Sequence, residues 1–222
     1  MQRKIIVLCL LFLVKNFQAQ NSENGLGTWY MYNGSHKVSK KYTLKTSAHI
    51  RFFELASEYQ QEIYRLGINY RFNKKLNVTG GMVYSITDTS YKEDLPNLYE
   101  FRFYQDANYK QKWASFLANH RIRLAQRFTA QNSKKETRHR IRYGLFLNYP
   151  LSTSFKIYTF NEVFIKFARK SFSQNRTGIG IIQKINKQIN LRLGYMHTLF
   201  SNASSHRLQL GIILNTNHIK TN

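Results

Sequence analysis

The sequence predicts an all-β protein, a closed antiparallel transmembrane β-barrel of about 10–12 strands. Three observations carry that expectation. Apolar and polar residues alternate with period two along almost the whole chain after its first twenty residues. The alternating segments run to ten or more residues, longer than the usual strand of about 5–6. Short turns and longer polar connections follow one another, as on the two rims of an outer-membrane barrel.

The leader comes first. In MQRKIIVLCLLFLVKNFQAQ, Arg3 and Lys4 precede the apolar run Ile5 to Val14, and Ala19 offers a small residue at the cleavage point. Residues 1–19 read as a signal peptide and residues 20–222 as the barrel. The run is too short for a spanning helix, which needs roughly 20 apolar residues. The chain's one cysteine, Cys9, lies inside it and not at the cleavage point. The mature chain therefore has no thiol chemistry, disulfide or lipid-anchoring cysteine.

Eleven strands can be placed: 26–38, 40–53, 58–72, 75–88, 97–111, 114–129, 136–149, 153–166, 173–184, 187–200 and 203–215. In IYRLGINYRF (63–72), Arg65, Gly67, Asn69 and Arg71 oppose Tyr64, Leu66, Ile68, Tyr70 and Phe72. In LANHRIRLAQRF (117–128), Arg121, Arg123 and Arg127 oppose Ile122, Leu124 and Phe128. In RHRIRYGLFLNY (138–149), Arg138, Arg140 and Arg142 oppose Ile141, Tyr143, Leu145 and Leu147. NLRLGYMHTL (190–199) sets Arg192 and Gly194 against Leu191, Leu193 and Tyr195, and TGIGIIQ (177–183) sets glycines against isoleucines. FNKKL, PLSTS and INKQI read as tight turns; ITDTSYKEDLPN, TAQNSKKE and FARKSFSQ read as longer loops. Trp29, Tyr42, Tyr70, Phe72, Trp113, Tyr149 and Phe155 lie near strand ends, where rings form girdles at the membrane interfaces. Single-chain bacterial barrels have even strand numbers, so eleven points to a missed or merged strand within 25–45. Asn24-Gly25 and Asn33-Gly34 are both possible turns there.

Lys and Arg number 34 against 11 acids, a formal charge of +23. They are spread along the chain, and no zinc-finger, helix-turn-helix or RNA-binding pattern accompanies them, so no nucleic-acid partner is expected. In a barrel with apolar residues facing lipid, the arginine face lines the lumen. The expected lumen network consists of Arg102, Arg121, Arg123, Arg138, Arg140, Arg142, Arg176, Arg192, Glu100, Asp106 and Glu162, with Arg51, Arg65, Arg71, Arg127 and Arg207 on the same parity. One reading is structural, with acids pairing arginines across strands through bidentate contacts. The other is an anion-attracting pore or a site for a phosphorylated or carboxylated solute, because the acids are too few to neutralise the arginines. Lys134, Lys135, Arg169 and Lys170 belong to the longer loops, solvated or meeting lipopolysaccharide phosphates.

Catalysis needs a nucleophile beside a base. Ser47 and His49 share the inward face, and Ser85 faces inward on another strand, but no G-x-S-x-G is present. No H-E-x-x-H, clustered His/carboxylate spacing or phosphate-binding glycine loop is found. No catalysis, cofactor or metal is expected. Two rivals stand beside a non-catalytic outer-membrane barrel: a lipid- or lipopolysaccharide-modifying membrane enzyme, and a soluble exported ligand-binding barrel with its apolar parity turned inward.

The segments LGTWYMYN, EFRFYQ (100–105), HRIRLAQRF (120–128), RHRIRYGLFLNYPL (138–151), FNEVFIKF (160–167), QNRTGIGI (174–181) and LRLGYMHT (191–198) together resemble a Bacteroidota family of exported β-barrels grouped as domain of unknown function 2490. The resemblance covers essentially the mature chain. It implies an outer-membrane barrel and carries no catalytic residues over, since the family's biochemical role is undefined. One departure is the end, LNTNHIKTN, which lacks the terminal aromatic common in such barrels.

Overall fold

The computed structural model describes residues 25–91, 95–168 and 171–219. The predicted leader, Arg169 and Lys170 lie outside them. Eleven strands run β1 Leu26–Lys37, β2 Tyr42–Phe52, β3 Tyr59–Arg71, β4 Leu76–Thr87, β5 Leu98–Trp113, β6 Phe116–Gln131, β7 Lys134–Pro150, β8 Phe155–Lys166, β9 Phe172–Lys184, β10 Ile189–Phe200 and β11 Ser204–Asn217. Each pairs with its neighbour in sequence, and β1 pairs with β11 to close the barrel.

Eleven strands fall within the expected 10–12 and match the eleven placed in the sequence; what is corrected is the missed or merged strand and the wholly antiparallel closure. Up-and-down alternation makes the first and last of eleven strands point the same way. β1 and β11 accordingly pair in parallel, from Leu26↔His206 to Lys37↔Asn217. No extra strand separates β1 and β2 among the described residues. Asn33-Gly34 is not a turn: Gly34 sits within β1, opposite Thr46 of β2 and Leu214 of β11.

One rim carries five short connections. Four of them share a single construction. Val38-Ser39-Lys40-Lys41, Phe72-Asn73-Lys74-Lys75, Leu151-Ser152-Thr153-Ser154 and Ile185-Asn186-Lys187-Gln188 each place Ser or Asn second. That side-chain oxygen accepts the backbone N–H groups two and three residues on, as Asn73 Oδ1 does from Lys75 and Leu76, both at 2.8 Å. Ser39, Ser152 and Asn186 repeat the pattern. Such side chains mimic a backbone turn, which is why these types recur there. The fifth is the two-residue turn after β5.

The opposite rim carries the connections 53–58, 88–97, 167–171 and 201–203. TAQNSKKE departs from its loop assignment. β6 and β7 pair up to Gln131↔Lys134, leaving Asn132-Ser133 as a two-residue turn with Asn132 at φ 52. Asn tolerates that left-handed conformation better than most residues. Lys134 and Lys135 are therefore the exposed first residues of a strand.

Alternation sorts the two faces. In β5, Glu100, Arg102, Tyr104 and Asp106 are buried, while Phe101 and Phe103 are exposed. Outward-facing Leu66, Ile68, Ile122, Leu124, Ile179 and Leu193 are all exposed. Two inward tyrosines lie over cross-strand glycine pairs. Tyr104 covers Gly67↔Gly81, and Tyr158 covers Gly180↔Gly194. A Cβ on Gly81 would lie 2.8 Å from Tyr104 Cε1 and 2.7 Å from Gly67 Cα, so the ring needs bare backbone beneath it. Phe160 occupies the space beside Gly178.

Candidate functional site

Eight strands suffice to fill a barrel with side chains; eleven leave space. Two adjoining cavities occupy the lumen. A vestibule of about 690 Å³ opens toward the short-turn rim and is lined by Lys37, Lys45, Asn69, Arg71, Asp106 and Lys110, among others. An inner chamber of about 300 Å³ lies deeper, and the two share Asn33, Arg65, Arg121 and Arg123.

Period-two geometry turns eleven arginines inward: 51, 65, 102, 121, 123, 127, 140, 142, 176, 192 and 207. Three buried carboxylates take five of them. Glu100 accepts from Arg102 Nε at 2.7 Å and from Arg127 Nε and Nη2, each at 2.7 Å. Asp106 accepts from Arg123 Nη2 at 2.5 Å and from its Nε, a bidentate pair across β5 and β6. Glu162 on β8 pairs with Arg121 and, at 3.4 Å, with Arg142 Nη1. Opposite charges meet here because the ladders place them so: Asp106↔Arg123 are direct cross-strand partners, and Glu100 is one diagonal step from Arg127.

The other six have no carboxylate partner among the described residues. Arg51 donates to Gln61 Oε1 at 2.6 Å, and Arg192 to Gln209 Oε1 at 3.1 Å. Gln174, with its amide oxygen turned inward, accepts from Arg176 at 2.9 and 3.0 Å. Arg207 donates to the backbone oxygens of Gly25 and His206. Arg65 and Arg140 lie over rings, 5.8 Å from Tyr104 and 5.1 Å from Phe164.

Aromatic rings hold this cationic set apart. Arg51 lies 3.6 Å from the Trp29 ring, and Arg176 lies 5.0 Å from Trp29 and 4.8 Å from Phe164. Arg142 stands 4.1 Å from Phe164, and Arg192 stands 4.1 Å from Tyr158. A ring face attracts a guanidinium and leaves its N–H edges free for an acceptor. The Nε groups of Arg51, Arg65, Arg142 and Arg192 are buried without a hydrogen-bond partner in the protein. Unpaired buried donors are costly; what the chamber presents to a solute is a wall of guanidinium groups with few carboxylates, which favours an anion.

Of the residues expected in the network, Arg102, Arg121, Arg123, Arg140, Arg142, Arg176, Arg192, Glu100 and Glu162 line the inner chamber, and Asp106 lines the vestibule. Arg138 does not join them. Pairing of β7 with β8 stops at Arg140↔Lys166, so the β6–β7 hairpin overhangs the rim. Arg138 there is 57% exposed and paired with Glu136 on its own strand. Arg71 likewise sits exposed at the short-turn rim, donating to the Lys40 carbonyl.

Trp29 corrects the girdle expectation. It is 7% exposed and faces the lumen between arginines, whereas Trp113, Phe72 and Tyr42 are exposed at the short-turn rim. Sequence reasoning also missed Phe164 and Tyr158 as lumen residues. The available signal was parity: Phe164 shares the face of Glu162, and Trp29 pairs with Arg51 across β1 and β2.

The serine–histidine candidate is not joined by a hydrogen bond. His49 Nε2 lies 3.1 Å from Asn33 Oδ1, while the buried Ser47 Oγ has no partner and lines the vestibule. Ser85 Oγ is also buried and unpartnered. Among the described residues, no group of three His, Cys, Asp or Glu is placed to hold a metal ion.

No curated protein matches the chain. A family model described as a protein of unknown function (DUF2490) matches residues 26–209, from the first residue of β1 into β11. That span takes in every inward arginine and all three lumen carboxylates, and the chain belongs to the DUF2490 family.

Proposed function

We propose that this protein is a bacterial outer-membrane β-barrel, exported through residues 1–19, whose lumen binds small anionic solutes and lets them pass. Its reading as a membrane barrel rests on the outward parity. Leu66, Ile68, Leu193 and their neighbours present an apolar wall, which lipid accommodates and water does not. Twelve-residue strands tilted by about 40° would cross roughly 30 Å, near the thickness of a bilayer core.

The observation that carries the lumen reading is the uncompensated set Arg51, Arg65, Arg140, Arg176, Arg192 and Arg207. A purely structural network would be expected to bring carboxylates to its buried cations, since a buried unpaired charge is expensive. Here five of the six, all but Arg207, line the inner chamber and lie over aromatic rings. His49 in this chamber contacts Asn33 and not Ser47, and the reading proposed is binding and passage.

Single-channel recording of the purified protein in a planar bilayer, under a salt gradient, tests this. Anion-selective steps are expected. Replacing Arg51, Arg140 and Arg176 by Gln should reduce that selectivity, while Arg138→Gln, outside the lumen, should leave it intact. Cation-selective steps, or a folded protein with no conductance, would instead make the arginines a structural network.

A further inference from the structure

The two rims differ in charge. Residues 34–48, 66–80, 107–121, 144–160 and 180–195 form the strand ends and turns of the short-turn rim, and they contain no Asp or Glu. The same segments carry Lys40, Lys41, Lys74, Lys75, Lys112 and Lys187, all exposed, with further basic residues beside them. At the opposite rim, Glu54, Glu58, Glu62, Asp88 and Glu136 stand among the described residues, and Glu136 neutralises Arg138.

The lysine-rich rim is also aromatic. Trp113 is 69% exposed and Phe72 56%, and Tyr42, Tyr109 and Phe155 are exposed at the same level. Lys41 Nζ lies 5.8 Å from the Tyr70 ring. Rings mark the depth of the headgroups in a bilayer, and lysine stems lie along apolar surface while their ammonium groups reach outward.

We infer that the short-turn rim is a docking surface for anionic phospholipid headgroups, of the phosphatidylglycerol class, in the leaflet it faces. The inference rests on the membrane reading above. Charge complementarity selects this occupant. The exposed ammonium groups encircle the outside of the barrel at headgroup depth, with no carboxylate in those segments to satisfy them. The four repeated turns give the arrangement a physical origin. Each needs Ser or Asn only at its second position, which leaves the next two positions free for Lys-Lys or Lys-Gln in three of the four.

Trp113 supplies the readout. The full mature protein is reconstituted in phosphatidylcholine vesicles containing, at equal mole fraction, either brominated phosphatidylglycerol or brominated phosphatidylcholine. Bromine quenches nearby indole fluorescence. Trp29 is the chain's other tryptophan and lies inside the lumen. A Trp29→Phe variant isolates Trp113, and the wild-type protein is run beside it in case that replacement disturbs folding. Quenching by the anionic lipid is expected to be roughly twofold stronger or more. The excess should fall in high salt and largely vanish when Lys40, Lys41, Lys74 and Lys75 are replaced by Gln. Equal quenching by the two lipids would overturn the inference and leave the membrane reading standing, as would a preference that survives the lysine replacements. No quenching by either lipid would overturn the membrane reading itself.

Discussion

Glu162 is 6% exposed and holds Arg121 and Arg142 in the lumen wall, while Glu136 holds Arg138 on an exposed overhang. The two pairs should answer differently to the same change. Glu162→Gln removes a carboxylate from between two arginines and leaves both uncompensated. Removing one partner of a fully dry pair costs about 3–5 kcal/mol; the chamber beside Glu162 admits water, so about 2–3 kcal/mol is expected. Glu136→Gln should have no measurable effect, because exposed pairs contribute little. Denaturant unfolding in detergent micelles measures both, and equal losses would mean that the lumen acids are not structural. Sequence parity assigned Glu162, Arg121 and Arg142 to the lumen without help, because a side chain's face follows from its own position in a strand. Parity could not tell that Arg138 lies beyond the wall. That depends on where β8 stops pairing with β7, a register set between strands. Parity does separate Trp29 from Trp113; nearness to a strand end, on which the girdle expectation rested, does not, since both stand near strand ends and only Trp29 faces inward.

The seam between β1 and β11 is the element least visible in the sequence. Each hairpin announces itself locally, through Asn73, Ser152 or Asn186 in its turn. Closure joins residues some 180 positions apart, and no local signal states its direction. The even-number rule for single-chain barrels pointed to an antiparallel closure, and the odd strand count overrides it. Parallel pairs are slightly less stable per residue than antiparallel ones, and this one compensates by running the full length of β1. A disulfide tests the direction. Gly211 is paired with Met31, and a Cβ built on it would lie 3.5 Å from Met31 Cβ, inside the range of about 3.5–4.5 Å that disulfides require. With Cys9 replaced by Ser, a Met31→Cys, Gly211→Cys double variant should cross-link under mild oxidation. The product should run with altered mobility on a non-reducing gel, and reductant should reverse the change. Both single variants folding while the pair fails to cross-link would rule out the parallel register.

At the scale of the whole molecule, the sequence alternates in a way that a soluble barrel and a membrane barrel share; the difference lies in which face is inside. The fold puts arginines in and leucines out, because rings and glycine pairs let bulky polar side chains fill a lumen that an aliphatic face could not solvate. An outward aliphatic wall has a depth-dependent cost of charge if lipid surrounds it, and none if water does. Leu66 sits at the middle of β3 and is 46% exposed; Phe72 follows the end of the same strand at the short-turn rim and is 56% exposed. In phospholipid vesicles, Leu66→Arg should destabilise the barrel by about 2–4 kcal/mol and Phe72→Arg by about 0–1 kcal/mol. Unfolding by guanidinium, followed through Trp29 and Trp113, reads both. Both residues lie on the outer wall and have similar exposure, so packing alone predicts similar costs for the two. A gap of 2 kcal/mol or so would therefore report the surrounding medium. Two small and equal costs would place water against the wall, and the outward leucines would then need a protein partner to cover them.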